Sequence, residues 1–372
     1  MIAGAWARAA GMRSAWLMAV AALVVETASC ATVARAAAET GAISTLPQFA
    51  PDFDVTEVAW AGGPTFPAPL WTSYALTDAL MWGRDNESRN RSLVVTEQNF
   101  DPLVRAQDLQ FPWSPGVRAF YGQRAPDRGG WEIGYFGVYG QATSLFVTPP
   151  AGDFLQMPDP LGGFINLEGE SATVRYTSVI NSAELNLLST STEWRNHSAS
   201  WLTVDWLVGF RYVGVEEQAA ITVDCCVTDG DKIPVPYGVA TRNNLFGAQI
   251  GNRSRWTWQK WAFEGWAKAG IFGNAQEQIQ KPLFDYNGDP FRPGLSSTAG
   301  AVAFVGDINT SLVYRLTDVW GLRVGYNLIW IDGLALAPDQ FDFSVNENSG
   351  RRLVSGGGIF MHGANLGLEA RW

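Results

Sequence analysis

The sequence predicts an all-β protein, a single transmembrane antiparallel up-and-down β-barrel. Three observations lead to this fold class: an export-type amino terminus, apolar–polar alternation with a period of two, and connections that are alternately long and short. The last strand shows the alternation, because Leu366 and Leu368 share one side whereas Asn365 and Glu369 share the other. A final strand of this kind behind an export signal is typical of an outer-membrane barrel.

The amino terminus predicts export. Two arginines precede an apolar run at residues 15–25, and small residues follow up to Ala38. We interpret 1–38 as a signal peptide, 39–70 as an irregular periplasmic lead-in and 71–372 as the barrel. The apolar run is too short to span a bilayer as a helix. The expected location is therefore the outer membrane of a diderm bacterium.

Composition and charge narrow the function classes. The chain has 17 Trp, 20 Phe, 10 Tyr and 39 Gly with only 17% charged residues, a mixture that suits a barrel with an aromatic lipid face. Removal of the signal peptide takes away three basic residues and one acid, so the formal charge changes from −10 to −12. Such a negative chain repels nucleic acid, which we exclude as a partner.

Ten segments alternate with a period of two, and these are the expected barrel strands: 71–83, 116–124, 130–142, 172–189, 200–215, 237–251, 256–273, 298–316, 319–332 and 357–372. The alternation is clearest near residue 206, where Trp206, Val208 and Phe210 share a side opposite Asp205 and Arg211. Additional short strands at 93–97 and 219–225 would give the competing count of twelve.

The connections between these segments form two classes. The short ones are predicted periplasmic turns at 125–129, 190–199, 252–255 and 317–318. The long ones, rich in Pro, Gly and Asn, are predicted outer loops at 84–115, 143–171, 216–236, 274–297 and 333–356. Because long and short alternate, both ends of the barrel are expected on the periplasmic side.

Several stretches resemble a known family, namely 183–186, 244–251, 268–274, 335–340 and 363–370. In these residues the chain is similar to the bacterial outer-membrane family named beta-barrel porin seven, over roughly 71–372. The resemblance implies an outer-membrane barrel of undetermined substrate, and it supplies no catalytic residues. The chain ends on Trp372 where Phe is more usual. We expect the barrel-assembly machinery to recognise this last strand, and outer-membrane lipid to surround the wall.

If the apolar side faces lipid, the opposite side lines the lumen. The predicted lumen-lining residues are Arg118, Glu132, Glu184, Asn186, Asp205, Arg211, Asn243, Gln249, Glu264, Lys268, Asp307, Asn309, Arg315, Arg323, Asn327, Asn365 and Glu369. Their charges nearly cancel, which favours either an occluded, salt-bridged interior or a small water-filled pore. A porin-like function is therefore expected, with passage of small solutes and weak charge selectivity. The alternative is a structural or adhesive anchor that displays surface loops.

Aromatic residues near the strand ends are expected to form interfacial girdles. They are Trp71, Trp82, Trp131, Tyr139, Trp201, Trp256, Trp258, Trp320 and Trp330. A sugar-binding platform would instead need these rings clustered in the lumen or on one loop.

Candidate catalytic and metal-binding residues are few. A barrel hydrolase is a minor alternative, in which His362 would act as a base on the lipid face, but the neighbouring strand has no serine; His197 is expected in a turn. The adjacent Cys225 and Cys226 make a poor metal site. The loop around Asp285 has the spacing of a turn and lacks a calcium-hand glutamate. We expect no cofactor, no metal and no enzymatic activity.

Overall fold

The computed structural model describes residues 72–125, 128–158, 168–195, 200–228, 231–284, 290–344 and 349–372. The predicted signal peptide and lead-in, Trp71, His197 and Asp285 lie outside this range. The described residues belong to one compact unit, Phe66–Trp372. Among them, no helix is long and apolar enough to span a bilayer.

Ten long antiparallel strands form the wall. They are β1 Thr72–Asn86, β2 Ser114–Ala125, β3 Gly129–Val147, β4 Gly169–Leu188, β5 Ser200–Thr228, β6 Asp231–Trp258, β7 Trp261–Gln280, β8 Leu295–Arg315, β9 Trp320–Leu334 and β10 Gly357–Arg371. Each pairs with the next along the chain, and β1 pairs with β10, with Tyr74 opposite Arg371 and Trp82 opposite Gly363. The predicted closed, ten-stranded barrel is therefore confirmed.

The remaining elements are short and are not strands of this ring. The strands are Ser92–Thr96, Pro102–Arg105, Leu155–Gln156, Thr192–Arg195, Leu283–Phe284 and Pro290–Arg292, and the 3-10 helices are Ala106–Asp108 and Ala337–Gln340. The competing count of twelve wall strands is wrong. Residues 219–225 continue β5, and the strand near residue 93 pairs with other short strands.

Three predicted connections are wrong because the strands are longer than expected. The strands β5 and β6 replace most of the predicted loop 216–236, and β7 and β8 shorten the loop at 274–297. In these outer parts the pattern is that of a soluble sheet: Ile221 and Val223 are buried inside, whereas Glu216 and Gln218 are exposed outside. The barrel therefore continues beyond its lipid-facing band.

The third error is the turn predicted at 252–255. These residues lie within β6, and the chain turns at Gln259 and Lys260. Arg253 and Arg255 keep the inward parity of Gln249, but their outward neighbours are also polar, so the alternation was not visible.

Replacement of Gln259 by glycine is expected to stabilise the barrel. Gln259 has φ = 52°, in the left-handed region that costs a residue with a Cβ atom about 1 kcal/mol. We expect Gln259→Gly to raise the free energy of unfolding by about 0.5–1 kcal/mol, measured by urea unfolding in detergent. Lys260→Gly is the control, and an equal gain there would contradict this explanation.

Candidate functional site

The lumen is the candidate site, and the structure buries fifteen of the seventeen predicted lining residues. Asp307 is half-buried. Arg315 differs: although it has inward parity, it lies at the last position of β8 and is exposed. The prediction for Arg315 is corrected for this reason, because a side chain at the rim reaches solvent.

Glu264 is the centre of an ion-pair network in the half of the lumen nearer the short turns, and it is fully buried. Its Oε1 accepts hydrogen bonds from Arg253 Nη2 at 2.8 Å and Arg323 Nη1 at 3.1 Å. Its Oε2 accepts from Arg255 Nη1 at 2.6 Å and Arg371 Nη2 at 3.0 Å. One carboxylate from β7 therefore joins strands β6, β9 and β10 across the lumen.

The network continues through two further acids. Glu369 accepts from Arg255 Nη2 at 2.7 Å and from Arg323 Nη1 at 3.0 Å. Arg323 also lies 3.5 Å from Asp78, which accepts a bond of 3.0 Å from Arg118 Nε. Each charge thus faces an opposite charge, which offsets the cost of removing it from water.

A second group of pairs lies nearer the middle of the barrel. Lys268 donates to Glu184, which also accepts from Gln249 Nε2 at 2.6 Å. Arg211 Nη1 lies 3.1 Å from Asp307 Oδ2. These contacts join β4 to β7 and β5 to β8, so the side chains cross the lumen instead of lining an open channel.

Two buried members of the ion-pair network, Asp78 and Arg253, and the half-buried Arg255 were missed from the sequence. Asp78 lies on the inward side of β1, between the inward residues Leu76 and Leu80. With leucines on both sides of it, this side of the strand does not look polar in the sequence. Arg253 and Arg255 were assigned to a turn. They could have been found by extending the strand, because Arg253 and Arg255 lie four and six residues after Gln249 and therefore share its inward side.

Above this network an apolar layer, here called the apolar septum, crosses the lumen. It consists of the inward residues Leu80, Trp82, Phe136, Val138, Ile180, Val213, Val215, Leu245, Phe272, Ala303, Val305, Ile329, Ile331, Ile359 and Met361, joined by Leu334 and Leu336. The lining residues predicted from the sequence are all polar, so this layer was not anticipated. Trp82 is also corrected, since it is buried in the septum and not in a girdle.

The outer chamber of the barrel is filled by its own loops. The plug segment is defined as residues 335–344 and 349–356. Its Ala337, Phe341 and Phe343 pack inside against buried residues that include Ile221, Val223 and Tyr237. Cys225 is buried in the same cluster. Arg84 pairs with Glu217 at 2.6 Å beneath it, and Glu217 accepts the Ala337 N–H at 3.0 Å.

An amide ladder on β7 holds this segment through its backbone. The ladder consists of the buried inward residues Asn274, Gln276, Gln278 and Gln280. Gln278 Nε2 donates to the Gly350 carbonyl at 2.8 Å, and Gln280 Nε2 donates to the Gln340 carbonyl at 2.8 Å. The two lower amides both donate at 2.9 Å to the carbonyl of Gly333, which lies in β9 just before the plug segment. The interaction therefore depends on the shape of the plug backbone.

Removal of one rung of the ladder is expected to loosen the plug segment. Gln280 also accepts from Tyr237 and Arg292 at 2.8 Å, so Gln280→Ala leaves several buried polar groups unpaired, at a cost of about 2–4 kcal/mol. We expect protease added to whole cells to cleave within 335–356 faster than in wild type. Gln218→Ala, exposed on the outer wall, is the control; equal rates in both variants would contradict the role of the ladder.

Two carboxyl groups of the plug segment have shifted pKa values. Burial raises the pKa of Asp339, which accepts the Arg89 N–H at 2.8 Å. Burial opposes the charged form of Asp342 too, but hydrogen bonds from Ser344 and the Gly350 N–H hold the pKa of Asp342 below its usual value. Asp342 therefore stabilises the plug above the usual aspartate pKa, and this contribution is lost as pH falls through the lowered value.

A small cavity lies in the described part of the lumen. The cavity between the network and the septum, lined by Trp82, Arg118, Phe136, Arg211 and Asp307 among others, has a volume of about 20 Å³. That is room for about one water molecule.

His362, the candidate base, lies on the lipid face of β10. Its Nδ1 is 2.6 Å from the Tyr326 hydroxyl, and its ring meets Trp113 edge-on at 5.5 Å. The hydroxyl partner is thus a phenol on β9, where a hydrolase would need a nucleophilic serine.

Comparison with known proteins identifies one family. Residues 161–372 match the family described as "Putative beta barrel porin-7 (BBP7)". No curated protein sequence matches the chain.

Two solved structures illustrate the similarity in shape. The outer membrane protease OmpT of Escherichia coli is 10% identical, with coverage of 82% of this chain and 98% of that chain and a TM-score of 0.46. A FadL homologue of Pseudomonas aeruginosa is 7% identical, with coverage of 82% and 90% and a TM-score of 0.23.

Proposed function

This chain belongs to the beta barrel porin-7 family, and from that premise we propose that it is an outer-membrane barrel closed at rest, whose wall anchors an outer extension. The observation that carries the proposal is the apolar septum, to which nine of the ten wall strands contribute. A hydrophobic constriction excludes ions because it does not hold water. The ion-pair network below and the plug segment above add two further barriers.

The same proposal covers export and assembly. Residues 1–38 direct the chain to the periplasm, and the assembly machinery takes up β10. The functional part is then the outer extension, formed by the ends of β5, β6 and β7 and by the loops they carry. We assign the chain no catalytic activity, since its lipid-facing histidine is paired with Tyr326.

A second candidate is passage of small solutes with weak charge preference. It is supported by buried polar atoms that lack a hydrogen-bond partner in the described network, among them Arg323 Nη2 and Asn365 Nδ2. Such atoms are usually satisfied by water. Water in the periplasmic half of the lumen would allow passage if the septum and the plug moved aside, and the near balance of charge would give little selectivity.

Liposome swelling separates the two candidates. For a barrel closed at rest, we expect proteoliposomes in a small sugar to swell no faster than empty liposomes. Swelling at rates that fall with solute size would refute the closed barrel and support passage. Protease treatment of intact cells is the accompanying test of the anchor, because cleavage must occur in the outer loops and not in the turn at Gln259.

A further inference from the structure

Five exposed arginines lie at the end of the barrel that holds the plug segment. Arg89, Arg91 and Arg105 belong to the loop between β1 and β2, and Arg351 and Arg352 belong to the plug segment itself. We call these five residues the arginine patch. Because the chain as a whole has a formal charge of −10, this group of arginines reverses the sign of the charge locally.

Hydrogen bonds connect the two halves of the arginine patch. Arg89 Nη2 donates to the Ser355 carbonyl at 3.3 Å, and Arg91 Nη1 donates to the Asp339 carbonyl at 3.2 Å. Both acceptors belong to the plug segment. Arg352 precedes Ser355 by three residues, so the Cα atoms of these two residues are at most about 11 Å apart. Arginines of the loop and of the plug segment therefore lie on the same surface.

The third arginine of the loop joins this surface. Arg105 Nη1 donates to Asn90 Oδ1 at 3.4 Å, and Asn90 lies between Arg89 and Arg91 in the sequence. The Arg91 carbonyl accepts the Ala106 N–H at 2.8 Å. This bond holds the two parts of the loop side by side.

The guanidinium charges of the arginine patch are not compensated by ion pairs. Within the described residues, none of the five side chains forms a salt bridge with a carboxylate. Carboxylates beside them bind backbone N–H groups instead: Asp108 accepts from Arg105 at 2.7 Å, and Asp342 accepts from Gly350 at 2.7 Å. The positive charge of the arginine patch therefore remains available to a partner from outside the chain.

The chemistry of these groups suits an oxyanion. A guanidinium group presents five N–H donors in a planar fork, which can bind the two oxygens of a carboxylate together. Arg89, Arg91 and Arg105 each use one side-chain nitrogen on a protein acceptor. Within the described part of the chain, Arg351 and Arg352 use none. Most donors of the arginine patch are therefore available.

The surroundings of the arginine patch favour a polysaccharide over a protein or a nucleic acid. Among the described residues, the exposed large apolar side chains include none from 87–92, 105–110 or 349–356, so the surface lacks the apolar centre of a protein interface. A nucleic acid carries dense negative charge, which the net charge of the chain repels. A polysaccharide that carries carboxylate or sulfate groups at intervals avoids both problems.

We propose that the arginine patch is a binding site for an acidic polysaccharide, whose carboxylate or sulfate groups contact the guanidinium groups. The inference rests on the proposed function for the location of this partner, because the plug end of the barrel faces the outside there. It adds a class of ligand to the loops that the wall displays. Contacts between exposed charges are screened by salt, so binding weakens as ionic strength rises.

The test is binding of polysaccharides to the full chain in nanodiscs of zwitterionic lipid, measured by isothermal titration calorimetry. Heparin supplies sulfate groups, polygalacturonate supplies carboxylates alone, and dextran is neutral. We expect at least one of the two acidic polymers to bind and dextran not to bind; which acidic polymer binds identifies the preferred group.

The double variant Arg351→Gln/Arg352→Gln should weaken this binding about tenfold, because it removes two of the five charges. The matched control is Lys260→Gln/Arg315→Gln, which removes two exposed charges at the opposite end of the barrel. We expect the control to change binding less than about twofold.

Folding of each variant is checked by the heat-dependent mobility shift in gel electrophoresis, so that loss of binding is not confused with loss of the barrel. Failure of both acidic polymers to bind would overturn the proposal, as would equal binding of dextran or equal effects of the two double variants. Tighter binding of a short DNA duplex than of either polymer would overturn it as well.

Labelled polymer added to intact cells tests the orientation separately. Binding to cells that produce the wild-type chain, and loss of that binding in Arg351→Gln/Arg352→Gln, is the expected result. Binding in nanodiscs without binding to cells would support the arginine patch as the site, and it would refute the outward placement of the plug end in the proposed function.

Discussion

Glu264→Ala is expected to destabilise the barrel more than any other single change, by about 3–5 kcal/mol. The substitution leaves Arg253, Arg323, Arg255 and Arg371 around an empty position, so positive charges that are now compensated would repel one another inside the wall. The measurement is urea unfolding in detergent micelles, followed by tryptophan fluorescence. Reduced yield of folded protein in the outer membrane should accompany the loss.

Glu264→Gln provides a graded comparison, because the amide keeps the shape but not the charge, and it should lose somewhat less stability than the alanine variant. The control is Glu216→Gln, at an exposed ion pair with Arg242, where about 1 kcal/mol or less is expected. If the Glu264 and Glu216 variants unfolded at the same urea concentration, the network could not be the main support of the lumen.

Phe272→Ala is expected to have the second largest effect, a loss of about 3–5 kcal/mol. Phe272 is 2% exposed and lies in the apolar septum, where the neighbouring wall strands cannot collapse into the space it leaves. The same unfolding experiment measures the loss. The matched control is Phe263→Ala on the same strand, outward and 49% exposed. Detergent or lipid fills the space left by Phe263, so a clearly smaller loss is expected there.

This pair of variants tests the parity of β7 directly. Equal losses would mean that Phe263 and Phe272 share an environment, which contradicts both the closed wall and the septum. A larger loss for Phe263→Ala would mean that Phe263 faces the lumen and Phe272 faces outward, the opposite of the assignment made here.

The alternation predicted the wall well where its two sides differ in chemistry. On β5, Trp206, Val208 and Phe210 face out, while Asp205 and Arg211 face in. An apolar outer side and a polar inner side produce an alternation that is visible in the sequence, so all ten wall strands were predicted.

The septum could not be found in the same way. Leu245 faces inward and Phe246 faces outward, and the two are both large and apolar. A local pattern carries no contrast when both sides are apolar. Only the closed ring shows that inward residues from nine strands meet at one level.

The strand at Asn252 and Arg253 was predicted as a turn for the opposite reason. Both sides of β6 are polar there, because arginines face the ion-pair network while Asn252 and Ser254 face outward. Such a run has the composition of a turn. The ion pairs themselves join strands far apart in the chain, such as β3 and β6 through Glu132 and Arg253, and no local rule gives that pairing.

Single-channel recording in planar lipid bilayers tests the closed barrel most directly. The septum, the ion-pair network and the plug segment together predict that the full-length barrel, inserted in the bilayer, produces no conductance steps above background at moderate voltage. Regular, reproducible steps from wild-type protein under the same conditions would contradict the account, since ions cannot cross a lumen closed by an apolar layer.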